Sequence, residues 1–149
     1  MGGEREFLRI DGACLVDGKV EIYMAEQREN AIERKSFAFA VRIVRLSQFL
    51  REEKREFVLS KQILRSGTSI GANVREAVYA ASRKDFINKL HIALKETNET
   101  AYWIELLGAT EYLPQDMSAS IRQDCIELRK LLIQILKSTK ERIHSDAGE

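Results

Sequence analysis

The stretch "RSGTSIGANVREA", residues 65 to 77, crowds into one segment the residue types that chemistry most often uses. Gly67-Thr68-Ser69-Ile70-Gly71 has the letters of a G-x-S-x-G nucleophile elbow, in which a serine on a strained strand-to-helix turn is activated by an acid and a histidine of a large α/β sheet. No strand-like run leads into it here, and helical periodicity passes straight through it. A phosphate-cradling P-loop needs Lys-Ser/Thr after its second glycine, where this chain has Ala72-Asn73. A carboxylate-bridged metal centre in a helical bundle needs Glu-x-x-His pairs on two helices. The two histidines are His91, with Asn88 three positions before it, and His144, near the C-terminus. Glu76, Glu96, Glu99 and Glu105 make an acidic series of the kind solvated helix faces carry. Cys14 and Cys125 lie far apart, with no metal-type spacing. These residues point away from catalysis, so no enzyme activity, cofactor or metal is expected.

Cations offer a different chemistry. Lys61, Arg65, Thr68, Ala72 and Arg75 follow one another at spacings of 4, 3, 4 and 3, and Lys35, Arg42 and Arg45 at 7 and 3. Such stripes can neutralise the backbone phosphates of RNA or DNA without reading sequence. A solvated face laced with ion pairs has the same pattern. Net charge is +1, but it is unevenly spread: residues 1–33 hold 4 basic and 8 acidic groups, residues 34–90 hold 13 and 5, and residues 91–149 hold 7 and 10. The basic middle coincides with the two stripes.

The elements that would position these residues are helices. With one proline in 149 residues, long uninterrupted helices are favoured, and the length suits one domain. From about residue 31 the period is helical, with Phe39, Ile43, Leu46 and Leu50 as the first seam and Phe37, Val41 and Val44 beside it. "REEKREF" interrupts with charge alone. Leu59, Ile63, Ser66, Ile70, Asn73 and Ala77 form the second seam. Ser82 suits a helix N-cap, with Asp85 three residues on. Phe86, Leu90, Ala93, Thr97, Thr100, Ile104 and Leu107 form the third seam, and Gly108 and Pro114 mark the next connection. Ile121, Cys125, Leu128, Leu132 and Ile135 form the fourth. The expected fold is an all-α, antiparallel up-and-down four-helix bundle over residues 31–143. A polar, fraying tail is expected at 144–149. Residues 1–30 read as an N-terminal extension, either a small hairpin built on the Asp11-Gly12 and Asp17-Gly18 turn signals or a flexible arm. There is no secretion signal and no membrane-length apolar run, so a cytoplasmic location is expected.

Within this frame the opening stretch takes on a packing role. A glycine costs about 1 kcal/mol relative to alanine in a helix interior, so Gly67 and Gly71 need a compensating gain, and close helix approach supplies one. Ser66 and Asn73 are expected to hydrogen-bond across helices and fix their register, with Ser69 and Ile70 between them. Ile87, Leu94 and Trp103 lie off the third seam. They pack into the core or form a second apolar face for another subunit.

"FVLSKQILRSGTSIGANVREA", followed by "DFINKLHIALKETNETAYWIELL", resembles the bacterial four-helix-bundle proteins known as the 23S rRNA intervening-sequence protein family. The resemblance centres on Arg65, Ser66, Ser69, Ile70 and Asn73, with Phe86 and Ala93 downstream, and leaves the first thirty residues outside. It implies an up-and-down bundle assembled as a pentameric ring. Related accessory proteins of diversity-generating retroelements bind nucleic acid and a reverse transcriptase through a basic surface. The expected function is therefore a non-catalytic homo-oligomer that binds structured RNA or DNA through Lys35, Arg42, Arg45, Lys61, Arg65 and Arg75. The alternative is a scaffold that docks a partner protein on the ring.

Overall fold

The computed structural model describes residues 8–10, 13–15 and 20–146. Four helices, α1 (Val20–Glu52), α2 (Leu59–Val78), α3 (Arg83–Ala109) and α4 (Gln115–Asp146), pack in chain order, and α1 closes against α4. The result is an up-and-down four-helix bundle. Ahead of it, strands β1 (Leu8–Ile10) and β2 (Ala13–Leu15) pair antiparallel with Leu8 opposite Leu15. Both Asp-Gly turn signals lie outside the described residues.

The core is the set of residues that helical spacing brings to one side of each helix. Phe39, Ile43, Leu46 and Leu50 of α1, Ile63, Ile70 and Ala77 of α2, Leu90, Ala93, Ile104 and Leu107 of α3, and Ile121, Cys125, Leu128, Leu132 and Ile135 of α4 are all buried. Each large one contributes roughly 1.5–3 kcal/mol by leaving water. Thr97 and Thr100 continue the α3 seam without strain because each hydroxyl donates to the carbonyl four residues back, Ala93 and Glu96, at 2.8 Å.

Helix ends follow local chemistry. Ser82 adopts extended backbone, and its hydroxyl accepts the Asp85 N–H at 3.1 Å, as the sequence suggests. α3 stops through Thr110 and Glu111, the latter at φ 63°, and Pro114 leads into α4. Gly108 lies near the helix end as the sequence suggests, one residue before the last of α3. A Cβ there would lie 2.7 Å from Ser118 Oγ, so this glycine serves the close approach of α3 and α4. Two bounds differ from the sequence reading. α1 begins at Val20, ahead of the point at which the apolar period becomes regular, and α4 runs through Asp146, three residues past the expected end of the bundle.

Candidate nucleic-acid interface

The "RSGTSIGANVREA" segment is α2 itself. Ser69 sits mid-helix, half-buried, and accepts the Asn73 amide at 3.1 Å, so no elbow exists around it. Gly67 and Gly71 both face α1. A Cβ on Gly67 would lie 2.7 Å from Cγ1 and Cγ2 of Ile43, and one on Gly71 would lie 3.3 Å from the Ser36 carbonyl oxygen. The two helices are closer than any side chain at these positions would comfortably permit, which is the gain that offsets the glycine cost.

On the opposite flank α2 meets α3. The hydroxyls of Ser66 and Thr100, both fully buried, lie 3.0 Å apart, and this is a cross-helix hydrogen bond of the kind expected to fix register. Asn73 differs from expectation. Its amide donates to the Ser69 carbonyl at 2.9 Å, within its own helix, as a half-buried polar side chain with the preceding turn's carbonyl in reach can do. Ile70 is wholly buried between these polar positions.

The six cations are not one surface. Lys35 pairs with Glu127 at 3.1 Å, and Arg42 with Asp124 and, at 3.0 Å, Ser120, all on α4. Arg65 turns towards α3 and pairs with Glu99 and, at 3.5 Å, Glu96, whereas Arg75 turns towards α1 and pairs with Glu33 at 2.9 Å. The stripe on α2 therefore splits to its two neighbours. Arg45 and Lys61 are exposed and form no ion pair with the described residues.

The acidic series resolves in the same way. Glu96 and Glu99 hold Arg65, Glu76 holds Lys89 at 2.6 Å, and Glu105 holds Arg122 at 3.1 Å. The Arg65 guanidinium beside Glu99 pulls that carboxyl below its ordinary pKa, against some desolvation, and the Trp103 indole N–H adds a 3.2 Å hydrogen bond. Burial pushes the Cys125 thiol up to about 11, so it is an inert core residue whose S–H meets the Thr97 carbonyl at 3.3 Å.

Ile87, Leu94 and Trp103 are half-buried and packed against the core. Leu94 and Trp103 are nine residues apart, two and a half helical turns, so they lie on opposite flanks of α3 and share no outward face. The exposed apolar stripe is instead on α1. Phe37, Val41 and Val44 recur at 4 and 3 and are 62%, 37% and 41% exposed. The sequence holds the signal for it, since three apolar residues recur at helical spacing outside the seam, but length alone cannot say whether such a second row meets a neighbour.

A sequence model of the family described as "23S rRNA-intervening sequence protein" matches residues 28–134. Among solved structures, a protein from Bacteroides thetaiotaomicron VPI-5482, described as of unknown function and from the S23 ribosomal protein family, is 62% identical with a TM-score of 0.73. The match covers 74% of this chain and 98% of that one. No curated protein matches.

Proposed function

The chain belongs to the 23S rRNA-intervening sequence protein family, and we propose that it is a non-catalytic cytoplasmic bundle that assembles with copies of itself and binds structured RNA or DNA. Self-assembly is carried by the outer face of α1. Scattered exposed apolar residues are ordinary, but Phe37, Val41 and Val44 form one continuous stripe beside exposed Ala38. Covering it with a second copy would return on the order of 1 kcal/mol or more per side chain. The pentameric ring that the resemblance implies would also repeat each charged face around an axis, and multivalency turns weak phosphate contacts into useful affinity.

Nucleic-acid binding is supported by the family's name, which ties it to an insertion in ribosomal RNA, and by exposed cations that form no ion pair with the described residues, Lys95, Lys130 and Lys137 among them. Light scattering at about 10 μM tests the assembly: the wild-type protein should exceed monomer mass, and Val41→Asp should reduce it to monomer, since one buried unpaired charge outweighs the stripe. A monomeric wild type would sink the assembly. The alternative, a scaffold for a partner protein, is favoured by Tyr79 and Tyr102, which are 79% and 57% exposed, because aromatic anchors are common interface residues. A wild type that ignores labelled RNA and DNA at low salt would favour it.

A further inference from the structure

Resting on the nucleic-acid reading above, we propose that the phosphate-contacting surface is the outer face of α3 and α4, rather than the faces of α1 and α2 that the sequence pattern suggests. From Phe86 to Lys95, and again from Leu128 to Lys140, the chain contains no Asp or Glu. Antiparallel packing lays these two segments side by side. Cys125 meets Thr97, Arg122 meets Glu105, and Phe86 and Thr139 line the same cleft at the far end.

On α3, exposed Lys84, His91 and Lys95 recur at 7 and 4; on α4, exposed Lys130, Ile133, Lys137 and Lys140 recur at 3, 4 and 3, with exposed Arg129 beside them. Lys84, Lys95, Arg129, Lys130, Lys137 and Lys140 form no ion pair with the described residues. Four of the six cations expected on α1 and α2 are, by contrast, already held by carboxylates. Most acids near this face are paired: Glu127 holds Lys35, and Glu96 and Glu99 hold Arg65, although the Lys95 charge also reaches Glu99; Asp85 follows Lys84 in the chain, half-buried, and Glu141 has a partner. Lys89, the remaining cation of the α3 segment, points to α2 and Glu76.

Shape and residue type indicate the ligand. The rows span eleven and ten residue steps, about 15–16 Å at 1.5 Å per residue, and adjacent helices lie roughly 8–10 Å apart. A duplex presents about one phosphate charge per 1.7 Å of its axis, so a surface of this length passes on the order of nine of them. Five of the six cations are lysines, which act as point charges towards phosphate rather than as forks for base edges, so binding is tolerant of sequence. Asn88 and Gln134 are exposed among them and Asn98 follows Lys95, and Ile133 is the one large exposed apolar residue of this face. A membrane-binding face would instead carry a broad apolar belt with aromatics.

Fluorescence anisotropy with a labelled RNA duplex and a labelled DNA duplex, at about 50 and 200 mM salt, tests this. The wild type should bind one or both and weaken at least tenfold between the two salts. K84E/K95E/K130E/K137E should weaken binding by roughly a hundredfold and flatten the salt slope by about 0.9 for each phosphate that is no longer neutralised. R45E/K61E should stay within about threefold of wild type, and circular dichroism on each variant confirms the helical fold. Binding by the wild type that survives the α3–α4 reversal overturns this surface and leaves the nucleic-acid reading standing. No wild-type binding at 50 mM, or binding confined to phosphatidylserine vesicles, overturns both. The tighter of the two duplex arms identifies whether RNA or DNA is preferred.

Discussion

Glu56 shows how much one residue in a charged connection can contribute. Its buried carboxylate accepts the N–H groups of Val58, Leu59 and Ser60 at 3.0, 2.9 and 2.7 Å, which are donors that the first turn of α2 would otherwise leave unpaired. Burial alone would raise its pKa. The three backbone donors outweigh that, and the carboxyl is held below the usual glutamate value. Because the folded-state pKa is depressed, the stabilisation is fully present above the unfolded value, near pH 4.3, and is lost as pH falls through the folded one. Glu56→Gln keeps an acceptor but not the charge, and should lower urea-unfolding stability by about 1–2 kcal/mol at pH 7, with the difference shrinking towards pH 3. A difference that is the same at both pH values would remove the charge from the account. Nothing in the sequence separates Glu56 from Glu52 or Glu53; the left-handed backbone at Arg55, φ 52°, turns it back onto the helix. Ser82 was legible because its cap is local, and Ser66 because it lies on a seam. The pairings of Lys35, Arg42 and Arg65 were not, since their partners lie 31 to 92 positions away.

At the scale of elements, periodicity carries most of the information. All four seams emerge as cores, with Leu59, Asn73 and Phe86 only partly buried, because helical spacing leaves few ways to hide that many Leu, Ile and Val side chains. Which helices come closest is set by smaller residues. The clearest case is Gly67 against Ile43. A methyl at Gly67 would meet the β-branched carbons of Ile43 rather than a flexible side-chain tip, so Ile43 cannot easily turn away. Gly67→Ala should therefore destabilise the protein despite the roughly 1 kcal/mol that alanine gains in helix propensity, with a net loss of about 1–2 kcal/mol from overpacking. In an Ile43→Ala background the same substitution should become neutral or stabilising. Equal effects in both backgrounds, read from a double-mutant cycle in urea, would refute the close-approach account. What periodicity does not settle is the fate of a second apolar row. Phe37, Val41 and Val44 remain exposed, while Ile87, Leu94 and Trp103, which also lie off the main seam, fold against the core.

At the scale of the whole molecule, the near-neutral total conceals two kinds of charged surface with opposite consequences for stability. Around α1, α2 and their neighbours, cations and carboxylates are interleaved in solvent-exposed ion pairs, each of which adds modestly to stability. On the outer face of α3 and α4, lysines outside any ion pair outnumber the acids near them, and their mutual repulsion works against folding. Counting charges in blocks that end at residue 90 hides this, because the acids at the C-terminal end of α3 and the start of α4 are averaged with the lysines that follow. The two surfaces should separate in thermal unfolding at low salt. Neutralising K84Q/K95Q/K130Q/K137Q should leave the midpoint unchanged or raise it by a degree or two, whereas R42Q/R65Q, which breaks three cross-helix ion pairs, should lower it by about 2–6 °C. Added salt should narrow the gap, since it screens both the repulsion and the pairs. A face whose removal costs the fold nothing is one kept for something outside the fold. If the lysine substitutions instead lowered the midpoint as far as the arginine ones, the α3–α4 surface would have a structural reason to exist, and its assignment to phosphate contacts would lose its main physical support.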